Sequence, residues 1–294
     1  MIAPTANAAA SAINIQPGWQ AQLDLNFRHA AGRSRMFRGP SSGPLYVQKP
    51  FYPEGELVHV YLLHPPGGVA GGDQLSINID VAGQASALLT TPAANKFYRS
   101  AGLMACVTNT LSVSGTGSLE WLPQENLFFR DCAVQLTTRL RLAKGARFIC
   151  WDLNCFGRPA SGDYFSKGLV HSATMVYRAG TTPEEDQPIL FERNCWQAGS
   201  ELMAAAWGLS GKGVIGTLYA TPVDDDQLAF LRRTLTTATS GGAEFALTLV
   251  DGLLIARIIT DSSIQARQQL VDVWQSLRPL VLGRPAESPR IWNT

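Results

Sequence analysis

Gly83-Gln-Ala-Ser-Ala-Leu-Leu-Thr-Thr-Pro92, Gly117-Ser-Leu-Glu-Trp-Leu-Pro123 and Gly145-Ala-Arg-Phe-Ile-Cys-Trp-Asp152 share one grammar: a glycine, a short β-type run, then Pro or Asp. A unit of that kind cannot bury its apolar side chains alone, so three look-alikes predict layers of strand stacked on strand, as in a β-helix or a two-sheet sandwich.

The surrounding chain agrees. Trp19–Phe27, Leu57–Leu63, Leu75–Val81, Ala87–Thr91, Val107–Val113, Leu119–Leu122, Val134–Leu142 and Arg147–Leu153 are rich in branched and aromatic residues, and glycine or proline punctuates many of them. Helical periodicity is nearly absent before Gly199. Beyond it, Gly213–Ala220 reads as a strand, and Asp224–Thr239 as a helix opened by an Asp224/Gln227 capping box and striped by Leu228, Leu231 and Leu235. Glu244–Val250 and Leu253–Thr260 flank Asp251-Gly252, a hairpin turn. A last helix starts at Ser262, with Leu270, Trp274 and Leu277 as its stripe, and Pro279 is expected to stop it. The expected class is therefore mainly β: a β-helix-like or two-layer body over 17–200, preceded by a flexible arm over 1–16. It is followed over 201–294 by a small α+β portion with two helices, packed on the body.

The totals narrow the function. Among 294 residues, 24 basic side chains face 23 acidic ones, a balance that argues against an electrostatic nucleic-acid or anionic-membrane binder. Only 16% of residues are charged, against roughly 25% in an average protein. So low a charge density points to exposed apolar surface and hence to protein partners, or simply to a large β-rich core. No run has the length of a membrane span. The first basic residue is Arg28 and Pro4 interrupts the only apolar stretch at the start, so no secretory leader is expected. Five cysteines without a CxxC pair then read as reduced thiols in the cytoplasm.

Catalytic motifs are missing. The glycine cluster Gly67–Gly72 ends in Asp73, where a phosphate loop would need Lys and then Ser or Thr. Gly208-Leu209-Ser210-Gly211-Lys212 lacks the closing glycine of a nucleophile elbow. Four histidines, His29, His59, His64 and His171, form no metal-binding spacing.

The segment His64-Pro-Pro-Gly-Gly-Val-Ala-Gly-Gly-Asp-Gln-Leu75 is neither strand nor helix, since two prolines fix φ and four glycines release it. It resembles the signature of the UreD family of urease accessory proteins, called UreH in some bacteria. The resemblance continues in order through Gln48-Lys49-Pro50-Phe51-Tyr52-Pro53, Lys96-Phe97-Tyr98-Arg99-Ser100, Leu119-Glu120-Trp121-Leu122-Pro123, Trp151-Asp152, Gly157-Arg158-Pro159, Glu192-Arg193, Leu277-Arg278-Pro279 and Pro289-Arg290-Ile291-Trp292. Two departures stand out: Gly162-Asp163 where the family usually has Gly-Glu, and Asn95 where Ser or Thr is common.

The resemblance implies a non-enzymatic scaffold that binds the accessory protein UreF, through it the GTPase UreG, and the urease apoprotein. It also implies a polar passage for Ni2+, with no tightly bound cofactor. An ion in transit needs oxygen ligands spaced singly, since a dense cage would trap it. By position in matching segments the candidates are Asp73, Asp152 and Glu192, then Glu125 and Asp163; each also has a structural reading as a turn cap or solvated charge. Phe97, Tyr98, Arg99 and Trp292 are the candidate partner contacts, aromatics and arginine being the usual anchors; core packing is an equal reading of Phe97. The alternatives are an adaptor for a different metalloenzyme and a β-helix enzyme cleaving polysaccharides between two carboxylates.

Overall fold

The computed structural model describes residues 18–235 and 243–293; the expected arm over 1–16 lies outside them. Among the described residues the chain winds as a β-solenoid. It passes from Gln74–Ala82 to Ser86–Thr90, from Ala105–Val113 to Ser118–Trp121, from Ala133–Leu142 to Arg147–Phe156, and on to Leu169–Arg178. The first member of each pair stacks parallel on its counterparts in a seven-stranded sheet, completed by Gln20–Ala30, Arg33–Ser42 and Gln187–Gln197. The second members stack parallel in an eleven-stranded sheet.

The three glycine-led units are neighbouring rungs of that second sheet. Ala87, Leu119 and Phe148 align, as do Leu89, Trp121 and Cys150, and all six are buried. At each corner a glycine with positive φ, namely Gly83, Gly115 or Gly145, reverses the chain where a Cβ would be strained. Backbone bonds then tie coil to coil, Ser118 N–H to Ala85 C=O at 2.9 Å and Arg147 N–H to Gly117 C=O at 3.0 Å. Farther along, Asn95, Asn126 and Asn154 align, and so do Phe97, Phe128 and Phe156 two residues on. The three rings stack at 5.1 and 5.3 Å.

Beyond the solenoid, Val214–Thr221, Leu253–Thr260 and Glu244–Val250 extend the same second sheet antiparallel from Arg147–Phe156. Asp251 and Gly252 both take positive φ, as the hairpin requires. This sheet is buried on both faces, so its strands read as unbroken apolar runs. Leu89, Trp121 and Phe148 face the first sheet, and Leu88, Ile149 and Leu218 face the helices. The first sheet alternates instead, as in Gln20–Ala30, because its outer face is solvated.

Three α-helices are present among the described residues. α1 (Glu201–Ala204), a single turn, has no sequence counterpart in the reading above. α2 (Asp225–Leu235) carries the expected capping box, Gln227 N–H to Asp224 at 2.8 Å and Asp224 N–H to Gln227 at 3.0 Å; the expected residues 236–239 lie outside the described ones. α3 (Ser263–Leu282) corrects the sequence reading, since Pro279 does not stop it. In the last turn the proline forfeits one backbone bond only, while continuing buries Val281 and Leu282. Gly283, left-handed, ends the helix instead and donates to the Pro279 carbonyl. No helix among the described residues is long and apolar enough to cross a membrane.

α3 is locked to the solenoid by a buried ionic cluster. Arg278, wholly inaccessible, gives Glu120 a fork of Nε at 2.9 Å and Nη2 at 3.0 Å, and grips Glu54 at 2.7 and 2.9 Å. Trp274 Nε1 donates to Glu120 at 2.7 Å, and His59 bonds Glu54 at 2.8 Å. Burial alone would raise the Glu54 pKa, but hydrogen bonds from His59 and Arg278 outweigh it and hold the carboxyl at about 2. Arg278→Met strands both carboxylates and is expected to lower the unfolding free energy by about 3–5 kcal/mol. Urea denaturation measures this; a loss below about 1 kcal/mol would show that the cluster does not hold the helix.

Candidate functional site

Period-two alternation sends Cys150, Asp152 and Asn154 to the inner face of Arg147–Phe156, beside the inward Phe148 and Phe156. The same parity turns Thr217 and Tyr219 inward on Val214–Thr221, and Arg257 inward on Leu253–Thr260. Register then aligns Asp152, Thr217 and Arg257 in one row across three strands. On the opposite sheet Asn109, Thr138, Thr174 and Glu192 align in a second row. Rows run across strands and therefore along the solenoid axis, about 4.8 Å per step. Two polar rows thus face each other inside the body, beside the asparagine row Asn95, Asn126 and Asn154.

The space between them is a cavity of about 280 Å³. At one end its wall includes His64, Gly68 and Lys96; deeper in it has Asn126, Thr138 and Asp152, and at the far end Thr174 and Tyr219. Asp152 accepts from Asn126 at 2.9 Å and from Asn154 at 2.6 Å. Burial raises its pKa to about 6; the bonds from Asn154 and Asn126 moderate the rise and the charge of Glu192 adds to it. Glu192 stands just past the cavity end, where Tyr219 Oη donates to it at 3.3 Å, Asn194 at 3.0 Å and Arg257 Nη2 at 2.7 and 2.9 Å.

The other three carboxylates lie elsewhere. Asp73 does not line the cavity. Its two oxygens are committed to backbone amides, Trp19 N–H at 2.8 Å and Ala70 N–H at 2.7 Å, so it clasps the first strand to the glycine turn. Gly18 must be glycine there, since a Cβ would come within 2.3 Å of the Asp73 amide. Asp163 likewise caps a turn through Arg130 N–H and Phe165 N–H. Glu125 sits between the cavity residues Gln124 and Asn126 and is not itself part of the wall.

Two partner candidates have packing roles within the chain. Phe97 is the first ring of the phenylalanine stack and is fully buried, so it presents nothing to a partner. Trp292 is half-buried: it packs against Trp151 and Trp274 and donates to Thr90 at 2.9 Å, sealing the terminal segment to the sheet. Tyr98 and Arg99 are exposed, and Tyr98 meets Phe129 edge-on at 5.2 Å.

Oxygen donors dominate the cavity wall, which holds one imidazole, His64, and one thiol, Cys150. Among the described residues no group of three His, Cys, Asp or Glu side chains could cage a metal. The Cys150 thiol in the cavity wall is pushed well up by burial, and then by the Asp152 charge, so it stays protonated and a poor ligand. Asn126, Tyr219 and Arg257 escaped the sequence reading. For Arg257 the available signal was a lone charge inside the apolar run Leu253–Thr260.

A family model described as UreD urease accessory protein matches residues 20–293. Curated relatives with the name urease accessory protein UreD come from several bacteria. That of Escherichia coli is 40% identical over 280 residues, 94% of this chain and 98% of the relative. That of Alcanivorax borkumensis is 41% identical over 281 residues, 94% and 93% of the two chains. That of Alkalilimnicola ehrlichii is 38% identical over 291 residues, 99% and 97%.

The raised Asp152 pKa makes a signed prediction. Folding disfavours its ionised form, so the cost is absent below the ordinary pKa of 3.8 and complete above about 6. Relative to Asp152→Asn, the wild type should lose stability between those pH values, by on the order of 3 kcal/mol at most. Thermal melts of both proteins from pH 4 to 8 check this; parallel curves would mean that the carboxyl ionises freely.

Proposed function

The chain belongs to the UreD family of urease accessory proteins, and from that premise we propose that it passes Ni2+ through its interior to the urease apoprotein. A role in urease maturation comes with the family. In the proposed complex the chain is a scaffold without turnover of its own, joined to UreF and through it to the GTPase UreG, which supplies the nucleotide chemistry that this sequence has no motif for. Tyr98 and Arg99, both exposed, are the proposed partner contacts that remain.

The observation that carries this reading is the pair of facing polar rows along the solenoid axis. Asp152 on one and Glu192 on the other are carboxylates set singly among amide and hydroxyl groups. Such a track offers a hydrated dication successive hard oxygen donors without the dense ligation that would hold it. Asp152, with a pKa near 6, is largely ionised at neutral pH, and a neighbouring dication would pull it further toward the charged form.

The test is co-expression of urease structural genes with variants of this chain at equal scaffold abundance. Asp152→Asn and Glu192→Gln should each lower nickel per urease active site by about tenfold. Asp73→Asn should leave that ratio unchanged while costing the scaffold about 1–2 kcal/mol, because the amide cannot accept from both Trp19 and Ala70. Full nickel content with Asp152→Asn and with Glu192→Gln would remove the interior track.

A further inference from the structure

Next to Thr174 and Tyr219 in the cavity wall, one strand farther along the axis, stands an ion pair. Glu192 comes from the first sheet and Arg257 from the second, so their contact joins the two layers across the end of the track. The Glu192 side chain is 20% exposed and Arg257 is 37% exposed. The carboxylate therefore faces the interior, while the guanidinium sits at the boundary with solvent into which it can turn.

The way this pair is made differs from the one that holds α3. Arg278 presents Nε and Nη2 to Glu120 as a fork and spends its remaining donors on Glu54 and the Pro285 carbonyl. Arg257 touches Glu192 through Nη2 alone, both carboxylate oxygens sharing that one nitrogen. Its Nε is buried and has no acceptor among the described residues. An end-on contact with an unused buried donor lacks the fork geometry that makes Arg–carboxylate pairs strong. Glu192 keeps two other donors, Tyr219 and Asn194, so the carboxylate stays oriented if the arginine leaves.

We propose that Arg257 is a resident stand-in cation, seated on Glu192 while the track is empty and displaced from it by the arriving dication. The proposal rests on the reading of the interior as an ion track. Its physical logic is charge balance. A largely buried carboxylate without a counter-charge is costly, so an empty track favours something positive at Glu192. A dication held by Glu192 and a guanidinium on the same oxygens repel each other. Occupancy by one therefore releases the other, and the return of Arg257 helps to expel the ion. Arg257 is thus a positioning residue that weakens binding at the end of the track, which is what transit rather than storage demands.

Equilibrium dialysis of the full chain against Ni2+ alone tests this. Arg257→Gln removes the charge and keeps a polar chain of similar reach; it should bind Ni2+ more tightly than wild type by roughly tenfold or more. In a Glu192→Gln background the same substitution should change nothing. A merely structural salt bridge predicts lower stability and unchanged or weaker binding. Arg257→Met, which keeps the aliphatic stem, gives the same reading if Gln does not fold. Ni2+ affinity that is unchanged or reduced in a folded variant would overturn the proposal, and so would failure of both variants to fold. Nickel per urease active site, measured in parallel for Glu192→Gln, separates the two ideas. If Glu192→Gln starves urease while Arg257→Gln leaves Ni2+ affinity unchanged, only the stand-in role falls. If Glu192→Gln leaves urease fully loaded, Glu192 is no part of the track, and the stand-in role falls with it.

Discussion

One guanidinium organises this protein. Arg278 sits where water cannot reach and must find partners for all its donors; it finds them in two carboxylates separated by much of the first half of the chain. Burying three charges costs several kcal/mol per ion unless the geometry is nearly complete. The two-sided grip, with Trp274 and His59 filling the remaining positions, supplies that geometry. The consequence is positional. α3 can lie on the second sheet in one place only, and the strands that it covers, Arg147–Phe156, Val214–Thr221 and Leu253–Thr260, are those that carry Asp152, Thr217 and Arg257 inward.

The interior rows depend on a second constraint, parallel stacking. In an antiparallel meander, equivalent positions of successive strands run in opposite directions. In a parallel coil the same position recurs on every rung. That is why Asn95, Asn126 and Asn154 line up and why three phenylalanines stack. A row of phenylalanines makes one strip of the interior apolar, and rows of amide, hydroxyl and carboxylate side chains hold polarity in the next. The shift from apolar to polar is accomplished by the choice of residue at aligned positions, without any change in backbone.

Much of this was legible in order of residues. The glycine-led units marked the coils, Asp251-Gly252 marked the hairpin, and the capping box at Asp224 marked a helix start, because each is decided by residues adjacent in the chain. The end of α3 was misread because Pro279 is judged by its local cost, whereas its neighbours' burial is a tertiary matter. The candidate site divided along the same line. Asp73 drew attention through the flexible turn that it terminates, yet what uses its carboxylate is the amide of Trp19, far away in sequence. Arg257 could not be tied to Glu192 from spacing at all, since the two belong to different sheets. Asp152 and Glu192 were reached through family segments, and alternation alone would have placed Asp152 on the inner face once the parity of Phe148 and Cys150 was known.

The corner glycines carry a further consequence for how such a protein can vary. Each turn of the winding adds roughly thirty residues and advances the axis by a single strand width, about 4.8 Å. Its interior is therefore a ruler graduated in whole turns. Loss of one residue from a rung would swap the inward and outward sides of everything after it up to the next corner. Loss of a complete turn would bring aligned positions back into step and shorten the ruler by one mark. Length along the axis is heritable only in units, and the corners are where a unit can be cut or inserted.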